Sequence, residues 1–278
     1  MKNFVSILIP NRFSWDGVCL TIESIRKRTV STNYDIIICD NSMAPNERAC
    51  EPPRNLPDGA DDGSRLDYLR EQARLGNIRL IENIGQARKY GHGENVRIML
   101  DQVETQFAML FNSTSEILRA DWLDILISMI RDPDHDLGVA RFRAGGAREY
   151  DYITPSYWPN MMLLNMPLYR KFYPENNWDL EQIGLEDFHR PELFTGQIPR
   201  TPDRTPPLVF ADTGWRLWEK LEYDNPVGLT IIQLPENYWN TYIKWHGGID
   251  RNSYRPEHPY VMETLAKINE RLAVLRAE

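Results

Sequence analysis

Four short apolar segments in the first half of the chain are each followed by small polar and charged residues. Asparagine, aspartate and serine offer hydrogen-bonding groups for a base or a ribose, while arginine and closely approaching backbone N–H groups suit phosphate. Turns are built from the same residue types, so one such set alone decides little. Four sets together indicate a shared ligand site; they are Pro10-Asn11-Arg12, Asp40-Asn41-Ser42, Asn83-Ile84-Gly85-Gln86-Ala87-Arg88 and Asn112-Ser113-Thr114-Ser115-Glu116.

The apolar segments that precede these sets are predicted to be buried strands. Each alternates with a stretch whose apolar spacing is that of a helix. Strand, helix and strand within about 35 residues form a βαβ unit, and parallel strands end at the same edge of their sheet. We therefore expect an α/β fold with an open, mostly parallel twisted sheet flanked by helices. The predicted strands are 4–9, 34–39, 78–81 and 107–111, and the predicted helices are 16–29, 66–74, 91–103 and 121–131.

The second half of the chain has a looser pattern, with a proline-rich loop at 199–207. A helix is predicted over 212–221, a strand over 229–234 and a long C-terminal helix over 258–277. We expect residues 1–135 to form the ligand-binding half and residues 136–278 a smaller lobe packed on the same sheet. The two parts would make one continuous domain.

Composition excludes several classes of protein. The formal net charge of -8 argues against a general nucleic-acid-binding surface, which needs clustered lysine and arginine. No apolar run approaches the ~20 residues of a membrane span. The three cysteines have neither CxxC spacing nor the density of a disulfide framework, which is typical of reduced thiols. We expect a cytoplasmic protein, at most peripheral to a membrane.

Several segments together resemble the GT-A glycosyltransferases, and specifically glycosyltransferase family two. The resemblance covers residues 4–131 and continues more weakly to residue 250. It implies a GT-A-like fold and a hexosyltransferase-like enzyme that moves a sugar from a UDP, GDP or dTDP donor to a hydroxyl acceptor with inversion, as in polysaccharide biosynthesis. The segments that carry it are "VSILIP", "LTIESIRKRT", "YDIIICDNS", "RLIENIGQAR" and "FAMLFNSTSEILRADWLDILI".

The resemblance also implies a donor site at the strand ends. Asp40 would accept a hydrogen bond from a base N–H, Pro10 and Asn11 would line the base and the ribose, and Arg88 would bring positive charge to the phosphates. Arg88 and its neighbour Lys89 are equally compatible with a solvated helix face. The remaining residues expected at the donor site are Arg12, Asn41, Ser42, Asn83, Gly85, Asn112, Ser113 and Thr114.

One segment departs from the family pattern. The metal-binding turn of these enzymes reads Asp-x-Asp, whereas the aligned residues here are Asn112-Ser113-Thr114, with no carboxylate before Glu116. Amide and hydroxyl oxygens lack the charge that Mg²⁺ or Mn²⁺ favours. Three interpretations stay open: a weakly bound metal helped by Glu116 or His246, cations such as Arg88 in place of the metal, or loss of activity.

An inverting transfer needs a carboxylate to take the proton of the acceptor hydroxyl. In "FADTGWRLWEKL", Asp212 resembles the acidic residue at a helix start, and it is also a candidate N-cap. Glu186 and Asp187 form the second-choice pair, since Pro191 follows soon after them. His246 in "IKWHGGI" resembles a histidine near the metal or diphosphate. Exposed aromatic residues would suit an acceptor sugar; the candidates are Tyr157, Trp158, Trp215, Trp239 and Trp245.

Three other functions compete with transfer. The first is a GT-A scaffold that binds a nucleotide sugar or a glycan without turnover. A nucleotidyltransferase would open with a glycine-rich loop, which Pro10-Asn11-Arg12-Phe13 is not. A glycosidase would need two facing carboxylates and no nucleotide site.

Overall fold

The computed structural model describes residues 4–11, 15–40, 62–82, 92–143, 146–147, 152–153, 155–178, 181–184, 208–211, 213–246 and 259–278. The strands are β1 (Val5–Asn11), β2 (Tyr34–Asp40), β3 (Arg79–Glu82), β4 (Phe107–Phe111), β5 (Ser115–Ile117), β6 (Asp136–Arg143), β7 (Gly146–Ala147), β8 (Tyr152–Ile153), β9 (Ser156–Asn165), β10 (Glu181–Gly184), β11 (Leu208–Ala211), β12 (Thr230–Gln233) and β13 (Ile243–Trp245). The helices are α1 (Trp15–Arg28), α2 (Asp62–Arg74), α3 (His92–Asp101), α4 (Trp122–Met129), α5 (Met166–Phe172), α6 (Trp215–Tyr223), α7 (Glu236–Tyr242) and α8 (Pro259–Ala277).

The main sheet joins both halves of the chain. Among the described residues it has seven strands in the order β12-β6-β9-β4-β1-β2-β3. All neighbours in it run parallel except β9, which is antiparallel to both β4 and β6. The predicted α/β class, with an open and mostly parallel sheet flanked by helices, is confirmed. The boundary at residue 135 stays a prediction.

Alternation along the central strands builds a core on each face of the sheet. Ile7 and Ile9 of β1 point to the face covered by α1 and α4, while Leu8 points to the opposite face, where it joins the buried residues of α3. Strand β2 repeats the pattern, with Ile36 and Ile38 on the first face. Burial on both faces explains why these strands are continuously apolar. The polar residues at their ends therefore stand at one fixed edge.

The C-terminal helix returns to the N-terminal half of the chain. Ile268, Leu272 and Leu275 of α8 are buried against Leu20 of α1 in a core of their own. Lys27 of α1 adds a hydrogen bond of 2.6 Å from its ammonium nitrogen to the Leu275 carbonyl oxygen. This packing lays α8 along α1. No helix in the described part of the chain has the length and apolar character needed to cross a membrane.

Two further small sheets lie outside the predicted elements. One has the order β10-β11-β8-β7, and the other pairs β5 with β13 in antiparallel register. The helix predicted to begin at Asp212 instead begins at Trp215, with Gly214 at its N-cap position in a left-handed conformation at φ +90°. A Cβ at Gly214 would lie 2.4 Å from the Tyr157 carbonyl oxygen. Glycine is therefore required there, while Asp212 itself lies outside the described residues.

Candidate functional site

The carboxyl ends of β1 and β2 bring two predicted site residues together. Asn11 and Asp40 are register partners, and Asn11 Nδ2 donates a hydrogen bond of 2.7 Å to a carboxylate oxygen of Asp40. A carboxylate only accepts, so the amide must turn its NH₂ toward Asp40 and its oxygen away. That oxygen, Asn11 Oδ1, is buried and has no hydrogen-bond partner among the residues that the structure describes. It is an acceptor at the strand end that a ligand N–H or O–H would satisfy.

The first turn of α3 packs against the carboxyl end of β2. Asn95 is buried, and its Oδ1 lies 3.4 Å from the sulfur of Cys39. Glu94 Oε2 is buried, and no hydrogen-bond partner for it lies in the described part of the chain. Burial, together with the charges of Asp40 and Glu94, raises the pKa of the Cys39 thiol to about 12. Cys39 is therefore a protonated structural thiol and not a nucleophile.

The turn at 112–114 is satisfied by its own hydrogen bonds. Asn112 Oδ1 accepts from the backbone N–H and from the hydroxyl of Thr114, both at 2.9 Å. Thr114 Oγ1 in turn accepts from the indole N–H of Trp245 at 3.0 Å. The first turn of α1 lies against this segment so closely that a Cβ at Gly17 would be 2.7 Å from the Ser113 carbonyl oxygen. The Asn112 and Thr114 side-chain oxygens are thus engaged in hydrogen bonds within the protein.

Strand β5 continues from this turn and is held on both sides. On one side, the Thr21 hydroxyl lies 3.1 Å from the Ser115 N–H and 2.7 Å from its carbonyl oxygen, while the Ser24 hydroxyl accepts from the Ile117 N–H at 3.1 Å. On the other side, β13 pairs with β5. The side-chain hydroxyls of α1 thus satisfy backbone N–H and C=O groups of β5 that a neighbouring strand would otherwise pair. The segment from 112 to 117 is therefore fixed in position.

A buried carboxylate lies at the centre of β5. The Glu116 side chain is 2% exposed and sits between two basic groups. Arg271 of α8 contacts both carboxylate oxygens, through Nε at 3.1 and 3.2 Å and through Nη2 at 2.7 Å. The His246 side chain, also 2% exposed, donates from Nε2 to the carboxylate at 3.0 Å. We call these three residues the Glu116 cluster.

The Glu116 cluster holds its carboxylate in the ionised form. Burial alone would raise the pKa of Glu116, but the hydrogen bonds and charges of His246 and Arg271 outweigh burial and lower it to about 2. The backbone N–H of His246 also donates to the Thr114 carbonyl oxygen at 3.0 Å. The cluster therefore links the 112–114 turn, β13 and α8 around one charge.

These residues do not fit a divalent cation. Asn112 and Thr114 contribute neutral oxygens that are already hydrogen-bonded, and the Glu116 carboxylate is already paired with Arg271. Within the part of the chain that the structure describes, no group of three or more His, Cys, Asp or Glu side chains is arranged to hold a metal. Glu116 and His246, the two candidate helpers of a metal, contact each other, and Glu116 also contacts Arg271.

Two tryptophans border the 112–114 turn. Trp245 is 42% exposed and meets Trp158 edge to face, with ring centroids 5.9 Å apart. The Arg141 guanidinium lies over the Trp158 ring at 5.2 Å. Trp215, another aromatic candidate, is buried in the interior, and the Trp239 side chain lies outside the described residues. Trp245 and Trp158 therefore form an aromatic surface beside the turn.

Several predicted site residues lie outside the described residues, and their roles stay predictions. They are Arg12, Asn41, Ser42, Asn83, Gly85, Arg88, Glu186, Asp187 and Asp212. Conversely, the sequence analysis missed Arg271. Arg271 lies at helical spacing from Ile268, Leu272 and Leu275, which puts a charged residue on the apolar face of α8. This spacing could have indicated a buried ion pair.

Comparison with known proteins finds low sequence identity. No protein-family model matches the chain. Over 129 residues, which are 46% of this chain and 12% of the relative, the sequence is 23% identical to the protein described as uncharacterized protein y4gI of Sinorhizobium fredii. The chain thus spans about an eighth of that curated relative (12%).

Solved structures with a similar course of the chain have low sequence identity. The mannosyltransferase PcManGT from Pyrobaculum calidifontis, in complex with GDP-Man and Mn²⁺, is 11% identical at a TM-score of 0.44 and covers 100% of this chain and 76% of its own. TarS of S. aureus in complex with UDP-GlcNAc is 12% identical at 0.41, covering 63% and 48%. GalNAc-T7 with UDP, GalNAc and Mn²⁺ is 12% identical at 0.42, covering 76% and 42%.

Proposed function

We propose that this chain is a glycosyltransferase that binds a nucleotide-diphosphate sugar at the carboxyl edge of its sheet and transfers the sugar to a hydroxyl acceptor with inversion. The observation that carries the proposal is the Asn11–Asp40 pair, whose buried and unpartnered Asn11 Oδ1 stands at the strand ends. Open parallel sheets bind their ligands at this edge. The resemblance of residues 4–131 to the GT-A enzymes supports the same location.

The donor base and ribose would lie against β1 and β2. Asn11 holds one oxygen of Asp40 in a hydrogen bond, and the carboxylate would accept a further hydrogen bond from an incoming base N–H. Asn11 Oδ1 offers a second acceptor for a base N–H or a ribose hydroxyl. Uracil, thymine and guanine all carry ring N–H donors, so UDP, dTDP and GDP donors suit this pair. Arg12, Asn41 and Ser42 would extend the site from the neighbouring segments, with Asn83, Gly85 and Arg88 on the phosphate side.

The acceptor would lie against the exposed tryptophan beside the turn. The indole N–H of Trp245 donates to the Thr114 hydroxyl oxygen, so the exposed part of this side chain is its aromatic ring. Aromatic rings of this kind stack on the apolar faces of sugars. A carbohydrate acceptor placed on Trp245 and Trp158 would stand next to the 112–114 turn. This placement favours a glycan as the hydroxyl acceptor.

Transfer would follow the chemistry of direct displacement. Asp212 is the proposed base, with Glu186 and Asp187 as second choices, and it would take the proton of the acceptor hydroxyl. The acceptor oxygen forms a bond to the anomeric carbon while the bond from that carbon to the donor phosphate oxygen breaks. The nucleoside diphosphate leaves with the bonding electrons, and the configuration at the anomeric carbon inverts. No step in this scheme passes through a metal, because the described residues do not fit one.

Calorimetric titration with UDP, GDP and dTDP, followed by a product assay with the corresponding sugars, tests the proposal. We expect one nucleotide to bind and its sugar to be transferred to a glycan or hydrolysed. Binding without either reaction would identify the competing function, a nucleotide-sugar binder without turnover. Absence of binding by all three nucleotides would contradict both functions.

A further inference from the structure

We infer that the Glu116 cluster takes the place of a bound metal ion by holding the 112–117 segment, β13 and α8 together. The nucleotide diphosphate therefore binds without a divalent cation. The inference rests on the proposed function. It assigns Arg271 as a positioning residue, contributed by the C-terminal helix to the donor site. Three observations carry it: the neutral turn, the occupied carboxylate and the elements that the cluster joins.

The charges at the turn are already balanced without a metal. A divalent cation is held by anionic oxygens, and Asn112 and Thr114 supply none. Glu116 is the carboxylate that follows the turn, and its two oxygens face the Arg271 guanidinium at 2.7 to 3.2 Å. A metal at Glu116 would have to displace that guanidinium or stand beside it in a buried place, where repulsion between cations is weakly screened. The site is therefore built around a fixed organic cation.

The cluster ties together three elements of the fold. Glu116 belongs to the strand that leaves the turn, His246 follows β13, and Arg271 is on α8. The His246 backbone N–H donates to the Thr114 carbonyl oxygen, and its side chain donates to Glu116. His246 therefore holds the 112–117 segment at two positions. Arg271 reaches the carboxylate with two nitrogens, a geometry that lysine cannot reproduce. Loss of Arg271 would release the turn on one side and leave a buried carboxylate with reduced pairing.

Nucleotide titrations of the full chain test metal independence directly. The dissociation constants of UDP, GDP and dTDP are measured in EDTA and in Mn²⁺. We expect the constant of the binding nucleotide to agree within about twofold between the two conditions. A tightening of about tenfold or more by Mn²⁺ would overturn the inference and leave the proposed function standing. Failure of all three nucleotides to bind in either condition would contradict the proposed function itself.

A pair of matched variants tests Arg271. Arg276 lies on the same helix and pairs with Glu23 in the same two-nitrogen manner, at 2.6 to 3.1 Å, away from the turn. We expect Arg271→Met to weaken nucleotide binding in EDTA by about tenfold and Arg276→Met by less than about twofold. Equal effects of the two variants would show that Arg271 only docks the helix.

Metal rescue separates positioning from general stability. Removal of the guanidinium frees a carboxylate beside His246, and these two groups are metal ligands. Mn²⁺ should therefore restore part of the binding in Arg271→Met but not in Arg276→Met or in the unaltered chain. No rescue in a folded Arg271→Met would overturn the inference. If Arg271→Met does not fold, Arg271→Lys keeps the charge and loses the two-nitrogen contact; unchanged binding by that variant in EDTA would overturn the inference.

Discussion

At the scale of single residues, the site is defined by polar groups whose partners are fixed before any ligand arrives. Asn11 must turn its amide nitrogen to Asp40, and this leaves one buried acceptor unpaired. Glu116, by contrast, has its full complement of partners. A buried acceptor without a partner costs about 1–3 kcal/mol, which a ligand donor would recover. The first residue is prepared to bind a ligand, and the second to hold the surrounding structure.

Replacement of Asn11 by alanine should weaken nucleotide binding by about tenfold, because both the acceptor and the orientation of Asp40 are lost. The measurement is calorimetric titration with the nucleotide that binds the unaltered chain. Asn77→Ala is the control, since its amide bonds Gln72 at the end of α2. Unchanged affinity in Asn11→Ala would place the base elsewhere on the molecule.

The ionisation of Glu116 predicts a specific dependence of stability on pH. Its pKa falls from an ordinary value of 4.5 to about 2 in the folded chain. A lowered pKa contributes stability that is complete above pH 4.5 and is lost as the pH falls through about 2. The contribution is on the order of 3 kcal/mol at neutral pH. Urea unfolding of the unaltered chain should therefore show a loss of stability between pH 5 and pH 2.

In Glu116→Gln this loss should be smaller, because the variant has no proton to take up at that position. Glu263→Gln serves as the control, since Glu263 is an exposed residue of α8 that pairs with Lys267 at 2.5 Å. Exposed pairs of this kind contribute little. A parallel pH profile for Glu116→Gln and the unaltered chain would contradict the assigned ionisation.

At the scale of elements, helix α1 is the support of the strand-end turn. Its backbone touches the turn at Gly17, and its Thr21 and Ser24 hydroxyls bind β5. The apolar periodicity of the sequence predicts α1 and the central strands, because both follow from burial along the element. The same patterns miss β5 and β13, since each has three residues and depends on a partner distant in the chain. Asn11 and Asp40 were predictable from strand ends, while Arg271 depended on how α8 packs on α1.

Substitution of Gly17 by alanine tests the contact between α1 and the turn. The added Cβ would lie 2.7 Å from the Ser113 carbonyl oxygen and 2.8 Å from the Thr114 methyl carbon, so the helix or the turn must move. We expect a loss of about 1–3 kcal/mol in the free energy of unfolding, measured with urea. Ser128→Ala, on an exposed part of α4, should stay within about 0.5 kcal/mol. A neutral effect at Gly17 would mean that the contact is looser than described.

At the scale of the whole molecule, distant parts of the chain meet at the candidate site. Strands from both halves share one sheet, and α8 returns from the C-terminal end to pack on α1. The Glu116 cluster lies where these paths meet, with residues from β5, from the end of β13 and from α8. We therefore expect the docking of α8 to be coupled to the geometry of the proposed donor site.

Truncation of Ile268 to alanine tests this coupling. Ile268 is fully buried between α8 and α1, and its loss leaves a cavity that should cost about 2–4 kcal/mol in thermal or urea unfolding. Because the same helix carries Arg271, nucleotide affinity should fall with it. Val274→Ala, at an exposed position of α8, should alter neither property. Normal affinity in a folded but destabilised Ile268→Ala would show that the helix and the site are independent.

The central claim is that a nucleotide diphosphate binds at the carboxyl edge without a metal. A crystal structure of the full chain, soaked in EDTA with the tightest binder among UDP, GDP and dTDP, tests it most directly. We predict the base against Asn11 and Asp40, the diphosphate next to the 112–114 turn, and Arg271 still bound to Glu116. A nucleotide bound at another surface would contradict the claim. So would a nucleotide that occupies this edge only after Mn²⁺ is added, with Arg271 displaced from Glu116.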